Sequence, residues 1–260
     1  SVELQLAGSI GATTLASAGL GDLQVQVGAN GSATHWQIRS AQVKEPDWGS
    51  LTLAGEVQTA RKATFTGEWA LPGKGHVALA AEAQWPQLGP VSKKETASRR
   101  EPQQPRWRLR AKGEHLEPAH RVFAQLGAMP SLAARALPPF NLNLDISGTG
   151  FTLPTASGVS AWEVHEATMG SAGSRVELRG HLGRHGQLAG RLQVTDLSDW
   201  LPQQAGRVNA TFHADEASLA QGRFGLELEA RQLAHPTWPA PVDAFSLSLA
   251  GQWYEGAVEA

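Results

Sequence analysis

Cysteine is absent from the 260 residues of this sequence. Its absence excludes disulfides, thiolate nucleophiles and cysteine-based zinc sites together. A chain with enough apolar residues to build a core needs no disulfides even in an oxidising compartment, so the absence does not identify the compartment.

An excess of charge of either sign is also missing, because 22 Lys and Arg residues stand against 24 Asp and Glu residues, a formal net charge of −2. This balance leaves no basic footprint for nucleic acid or anionic head groups, and we predict no nucleic-acid partner. Apolar runs are far shorter than the ~18–20 residues that a bilayer crossing requires, and no signal peptide is recognised. Because the sequence starts within one strand-like pattern and stops within another, we expect a segment of a longer protein.

Catalytic and metal-binding motifs are equally scarce. The sequence has no G-x-S-x-G elbow, no P-loop and no H-E-x-x-H. The best metal candidate is the pair His181 and His185, but that spacing makes a site on a helix, and here a strand runs into a hairpin. Asp215 and Glu216 are adjacent and diverge on a strand, so they cannot flank one substrate bond. We predict no enzyme activity, no metal site and no cofactor.

What the sequence does contain is strand periodicity. Apolar residues alternate with polar or small ones over many short stretches, which places the apolar side chains on one face of a sheet. Continuous apolar runs, typical of parallel strands buried on both faces, are missing, so an antiparallel sheet is predicted. Glycine-containing turn signals separate the stretches, at Asn30-Gly31, Pro72-Gly73, residues 184–186 and Gln221-Gly222.

A recurring pattern within the strands is apolar-x-apolar-x-Gly-x-apolar, with copies that start at Leu4, Leu51, Ala63, Val176 and Leu247. The copies are irregularly spaced, which excludes a solenoid of fixed period. In each copy the glycine lies on the apolar face, where it weakens a strand unless the backbone bends or another group approaches closely. We therefore predict a sheet that curves along its length.

Two segments depart from this pattern. Residues 86–106 are charged and proline-rich without apolar periodicity, which predicts a mobile loop. Residues 117–136 carry apolar residues at helical spacing, with Pro130 dividing them, which predicts a short helical insertion in one or two pieces. A single helical turn is also expected at 198–201. The remaining segments, 1–85 and 107–260, are predicted to form one continuous sheet.

The predicted helix is too little to cover at least a dozen strands that each have an apolar face. Either the sheet closes on itself as a sandwich or barrel, or the apolar face stays open as a groove that another molecule occupies. Because large exposed apolar patches are rare without a ligand or partner, composition alone favours the sandwich.

The segment 137–202 carries a family resemblance. A strand led by Leu137-Pro138-Pro139-Phe140 is followed by Met169-Gly170-Ser171-Ala172-Gly173-Ser174-Arg175-Val176-Glu177-Leu178-Arg179-Gly180-His181-Leu182, and then by Leu188-Ala189-Gly190-Arg191-Leu192-Gln193-Val194-Thr195-Asp196-Leu197. This succession resembles the AsmA-like superfamily of Gram-negative envelope proteins, which includes TamB. The family has a Leu-Gly-Gly-Ser-x-Val-x-Gly-x-Leu strand, a Leu-x-Gly-x-Leu-x-Val-x-Asp-Leu strand and a short helical turn. Here Ala172-Gly173 expands the first motif.

The resemblance implies a protein anchored in the inner membrane, with a periplasmic sheet that curves into a groove (a β-taco). Such a groove is expected to carry phospholipid acyl chains toward the outer membrane, as part of envelope biogenesis. The side chains expected to line it are Leu142, Leu144, Ile146, Val176, Leu178, Leu192, Val194, Val208, Phe212, Leu226, Leu228, Leu247 and Leu249.

Two alternatives remain open at this point. TamB-like members are linked to the assembly of outer-membrane β-barrel proteins, which would make the segment a strand-augmentation module with a barrel protein as partner. A closed β-sandwich is the other alternative, a binding module that recognises glycans through tryptophan, since the sequence has 9 Trp against 1 Tyr.

Overall fold

The computed structural model describes residues 2–10, 23–45, 49–59, 61–71, 74–86, 104–116, 139–150, 160–183, 185–199, 201, 203–217, 221–254 and 257–259. These residues form one antiparallel sheet of 15 strands. In chain order the strands are β1 Val2–Ile10, β2 Leu23–Gly31, β3 His35–Glu45, β4 Gly49–Gln58, β5 Lys62–Ala70, β6 His76–Gln84, β7 Arg106–Glu114, β8 Asn141–Thr149, β9 Ala161–Ser171, β10 Ser174–Leu182, β11 Gln187–Val194, β12 Ala205–Asp215, β13 Gln221–Ala234, β14 Val242–Tyr254 and β15 Ala257–Glu259.

The spatial order of the strands is their order in the sequence, so each strand pairs with the next one along the chain. Since β1 and β15 do not pair with each other, the sheet is open. Helical structure within the described ranges is limited to the 3-10 turn Leu197–Asp199. The prediction of an all-β, antiparallel sheet is confirmed.

The sheet continues across the segment predicted as a mobile loop, because β6 pairs with β7. Arg106, the last residue assigned to that loop, is the first residue of β7. The remaining loop residues 87–103 and the helical insertion predicted at 117–136 lie outside the described residues.

The register explains the glycine pattern on the apolar face. Directly opposed residues share a face, so the pairings trace continuous rows across the strands. The central row alternates small and large side chains from β3 to β12 and reads Ala41, Leu53, Gly67, Leu79, Ala111, Leu144, Ala167, Leu178, Gly190 and Phe212. Each small residue therefore lies between two large side chains from the flanking strands.

The large side chains lean over these small residues. A Cβ on Gly67 would lie 2.5 Å from Cδ2 of Leu53, and a Cβ on Gly55 would lie 2.8 Å from Cδ1 of Phe65. At these two glycines the face is level, since a neighbouring side chain fills the space above each of them.

Bulges, where one strand carries extra residues relative to its partner and bends locally, interrupt the regular pairing. The register shifts lie between Gly28 and Ala29, Ile38 and Ala41, Asp145 and Ile146, Leu178 and Gly180, and Ala205 and Arg207. Gly180 has a φ of 133°, a conformation that side-chain-bearing residues avoid, so this bulge depends on glycine.

Two of the predicted turns are wrong. Asn30 and Gly31 are the last residues of β2, and the chain reverses at 32–34, where the Ser32 amide donates to the His35 carbonyl at 2.7 Å. Gln221 and Gly222 begin β13. In both cases the glycine lies opposite a tryptophan: Gly31 faces Trp36, and Gly222 faces Trp253.

The turn predicted at 184–186 does lie between β10 and β11, where the Gly186 amide donates to the Gly183 carbonyl at 3.1 Å. Pro72 and Gly73 lie outside the described residues.

The described strands form a single layer, and the closed-sandwich alternative is wrong. Large apolar side chains that a sandwich would bury stay exposed at both ends of the sheet, with relative exposures of 39% for Leu4, 47% for Phe245 and 42% for Leu247.

One local core is packed in the middle of the sheet. Leu71 follows β5, Leu116 follows β7 and Phe140 precedes β8, and all three are buried with Val77 and Ala111. The Leu116 amide donates to the Phe140 carbonyl at 3.0 Å. These connecting residues fold over the apolar face at one side of the sheet.

Candidate functional site

The candidate site is the apolar face itself, here called the floor, and the register places all 13 predicted lining residues on it. Leu178 lies opposite Gly190 on β11, which lies opposite Phe212 on β12, and the row continues through Leu226 and Leu249. A second row passes through Leu142, Val176, Leu192, Leu228 and Leu247. The remaining residues, Leu144, Ile146, Val194 and Val208, share the same face through their own pairings.

Within this set, Val194 is buried, Val176 and Leu247 are exposed, and the others are half-buried. Side chains that are half-buried in a single layer present apolar surface on the side away from the backbone. This surface is the part of the floor that another molecule can reach.

The floor also extends over β1–β7, where the sequence assigned no lining residues. The same rows continue there through Leu6, Val27, Leu51, Leu53, Phe65, Leu79 and Leu109. The sequence contains a signal for lining residues in this region, since Leu51-x-Leu53-x-Gly55-x-Val57 is a full copy of the strand pattern. The predicted lining residues begin only at Leu142, and the register extends the floor to β1–β7.

Charge divides the two faces of the sheet. Between the first and last residue of each of β1–β13, no charged residue lies on the floor within the described chain. In β14, Asp243 follows the first residue of the strand and has the same alternation as the floor residues Phe245 and Leu247. The opposite face carries cross-strand ion pairs, among them Lys62 with Glu82 at 3.8 Å. One face is therefore hydrated and ionic, and the other is apolar.

A bidentate ion pair on the outer face joins β7 to β8. Arg108 donates through Nε to Oδ1 of Asp145 at 2.7 Å and through Nη2 to Oδ2 at 2.6 Å. Arg110 adds a contact from its Nε to Oδ2 at 3.5 Å. The hydrogen bonds from Arg108 hold the pKa of the Asp145 carboxyl below its ordinary value. This bidentate pair is structural, since it lies on the face away from the floor.

Tryptophans border the floor along one side. We call the side where odd-numbered strands begin and even-numbered strands end the first rim, and the opposite side the second rim. The floor row nearest the first rim runs across β1–β10 as Val2, Gly31, Trp36, Val57, Ala63, Ala83, Trp107, Gly148, Trp162 and Leu182. Tryptophan is abundant in the sequence, but its abundance alone does not predict that these three residues lie in one row.

The indole groups of Trp107 and Trp162 in this row are held by specific contacts. Trp107 and Trp162 pack edge to face over Gly148, with ring centroids 5.4 Å apart at 89°. The Nε1 of Trp107 donates to the Gly150 carbonyl at 2.6 Å, so its polar edge is directed toward the first rim.

The histidine pair considered for metal binding is used locally. The Nε2 of His181 lies 2.8 Å from the His185 carbonyl oxygen, in the turn between β10 and β11. Among the described residues, no three or more His, Asp or Glu side chains are grouped so as to hold a metal ion.

Comparison with known proteins adds no relative. No family model, no curated protein and no solved structure matches this chain. In the described part of the chain, no helix has the length and hydrophobicity needed to span a membrane. The floor itself therefore carries the functional interpretation: it offers burial of apolar groups along many strands.

Proposed function

We propose that this chain holds the acyl chains of phospholipids on its floor, as the periplasmic segment of a lipid-transport bridge of the AsmA-like type. One observation carries the proposal: an apolar floor, free of charged side chains from β1 to β13 and left open by the described residues except at Leu71, Leu116 and Phe140, has a charged face behind it. Soluble proteins rarely expose so large an apolar surface unless another molecule covers it. The resemblance of residues 137–202 to the superfamily supplies the class of that molecule, a phospholipid.

The binding mechanism under this proposal is burial of apolar surface. Each methylene group removed from water contributes about 0.8 kcal/mol, so even a partly lodged acyl chain is held substantially. Neighbouring side chains fill the space above Gly55 and Gly67, so the floor has no notch at these two positions. A level, charge-free floor allows a chain to move from one strand to the next without meeting a strong local site.

The proposal is tested by lipid extraction and native mass spectrometry of the purified chain, using two adjacent residues of β11. Leu192 lies on the floor, and Gln193 lies on the outer face opposite Arg175. We expect Leu192→Glu to lower the bound phospholipid at least about tenfold, because burying a carboxylate against acyl chains costs several kcal/mol. The matched control Gln193→Glu adds the same charge on the hydrated face and should leave bound lipid unchanged.

Two results would contradict the proposal. One is wild-type protein that carries no phospholipid after mild purification from cells or after incubation with vesicles. The other is an equal loss of lipid in both variants, which would mean that charge acts nonspecifically. Circular dichroism of both variants, measured without lipid, separates loss of binding from loss of folding.

A second candidate function, strand augmentation for barrel proteins, is favoured by the edge of β14. β15 pairs only with residues 252–254 of β14, so the rest of that edge, from Val242 to Gly251, has no partner strand among the described residues. From Ala244 to Gly251 the strand carries no charge or proline, the devices that normally block pairing at an edge.

A photo-crosslinker tests this second candidate in cells. Placed at Ser246 in β14, it should capture barrel precursors, whereas at Gln193 in the interior strand β11 it should not. Capture at neither position, or equally at both, would count against strand augmentation.

A further inference from the structure

The inference concerns the orientation of the bound lipid, and it rests on the proposed function. We infer that phospholipids lie with their acyl chains along the strand direction and with their glycerol and head-group region at the first rim. The first-rim row, defined above from Val2 to Leu182, would then mark the boundary between hydrocarbon and water.

The width of the floor fits this arrangement. On β4 the floor runs from Leu51 near the second rim to Val57 in the first-rim row, a separation of six residues. At about 3.3–3.4 Å per residue this is about 20 Å. The hydrocarbon of one bilayer leaflet is about 15 Å thick. A single layer of acyl chains therefore fits across the floor along the strands.

The chemistry of the first-rim row identifies the polar end. Tryptophan combines a large apolar ring with one hydrogen-bond donor, and it collects where hydrocarbon meets water. Trp36, Trp107 and Trp162 occupy this single row, two of them on either side of Gly148. Among the described residues, the buried Nε1 of Trp162 has no hydrogen-bond acceptor, so this end of the floor holds an unsatisfied polar donor.

Across β2–β8, the described residues at the opposite side of the floor form no such row of tryptophans. Its outer row on β2–β8 contains Val25, Val43, Leu51, Trp69, Val77, Gly113 and Leu142, with one tryptophan. In the middle of the sheet, the buried side chains of Leu71, Leu116 and Phe140 cover the second rim. An apolar cover suits the ends of acyl chains and not a hydrated head group.

The absence of native cysteine makes a direct test possible. Single-cysteine variants Val57→Cys and Leu51→Cys put the same fluorophore at the two ends of the floor on one strand. Each position also lies opposite one tryptophan, Trp36 and Trp69 respectively, so background quenching is comparable. The probes are phosphatidylcholine with a nitroxide on the head group and phosphatidylcholine with a nitroxide near the end of an acyl chain.

We expect the head-group nitroxide to quench the fluorophore at position 57 about fivefold more than at position 51, with the order reversed for the chain-end nitroxide. The triple variant Trp36→Phe, Trp107→Phe and Trp162→Phe keeps rings over the glycines and removes the donors, and it should reduce this preference. Trp69→Phe is the matched control and should not.

The outcomes separate this inference from the proposed function. Quenching that is equal at the two positions, or reversed, overturns the orientation while lipid binding stands. No quenching by either lipid, together with no phospholipid on the purified chain, overturns the proposed function itself. If the triple variant shows the same difference in quenching between positions 57 and 51 as the unsubstituted tryptophans do, the indole donors do not orient the lipid.

Discussion

Replacing Gly148 by valine is expected to lower the free energy of unfolding by about 1–3 kcal/mol, the usual range for overpacking. Gly148 lies on the floor between Trp107 and Trp162. A Cβ at this position would lie 2.7 Å from Cζ2 of Trp107 and 2.8 Å from the Ala161 carbonyl oxygen. Because one of these neighbours is backbone, a change of tryptophan rotamer alone cannot relieve the overlap. Chemical denaturation followed by circular dichroism measures the effect.

Gly8 provides the matched control. It occupies the glycine position of the copy of the strand pattern that starts at Leu4, and no atom lies within 4 Å of a Cβ placed on it. Gly8→Val should be neutral or slightly stabilising, because glycine in a strand loses more conformational entropy on folding than a larger residue. Equal losses at the two positions, or no loss at Gly148, would contradict the view that floor glycines make room for neighbouring side chains.

The topology predicts where the damage from Gly148→Val will be felt. Each strand pairs only with its sequence neighbours, so the sheet resembles a repeat protein, in which stability is a sum of nearest-neighbour terms. Hydrogen exchange should therefore show loss of protection in β7–β9 first, with β12–β14 little changed. A uniform loss across all strands would indicate a cooperativity that the pairing pattern does not provide.

The strands and their shared face were predictable because a period of two encodes the face directly. Whether the sheet would stay open was not, since the alternation seen at Leu226 and Leu228 also fills the core of a closed sandwich. An open sheet and a closed sandwich differ in the exposure of residues such as Phe245 and Leu247. That exposure depends on whether a second layer packs against the apolar face.

The turn errors have a similar origin. Gly31 and Gly222 stand beside polar residues, as glycines in hairpin turns do, and the sequence alone favours a turn. The structure uses both to receive a tryptophan from the next strand. Such a partner is visible only once the register is known.

Only part of the candidate site could be predicted from the sequence, again because alternation identifies strand residues and not their distant contacts. Residues such as Leu192 and Leu228 could be assigned to the floor from alternation, whereas Leu116 and Phe140 stand outside any strand and take part in no period. Their burial comes from contact between connections that lie far apart in the sequence. A local sequence pattern therefore does not predict such contacts.

Leu116→Ala is expected to have the largest effect on stability among single truncations in this cluster. The Leu116 side chain is only 2% exposed and packs with Leu71, Val77 and Phe140. Removing a buried leucine side chain costs about 2–5 kcal/mol, since burial is lost and a cavity remains. Denaturant unfolding monitored by circular dichroism checks the value.

Leu201→Ala is the control for this truncation, because Leu201 is 40% exposed and the hydrogen bond that its amide donates to the Leu197 carbonyl, at 2.8 Å, does not depend on the side chain. The control should change the free energy of unfolding by about 0.5 kcal/mol or less. A comparable loss in both variants would mean that Leu71, Leu116 and Phe140 do not form a packed core. If only Leu116→Ala is destabilised, and its folded fraction still binds phospholipid, the cluster stabilises the sheet and the floor does the binding.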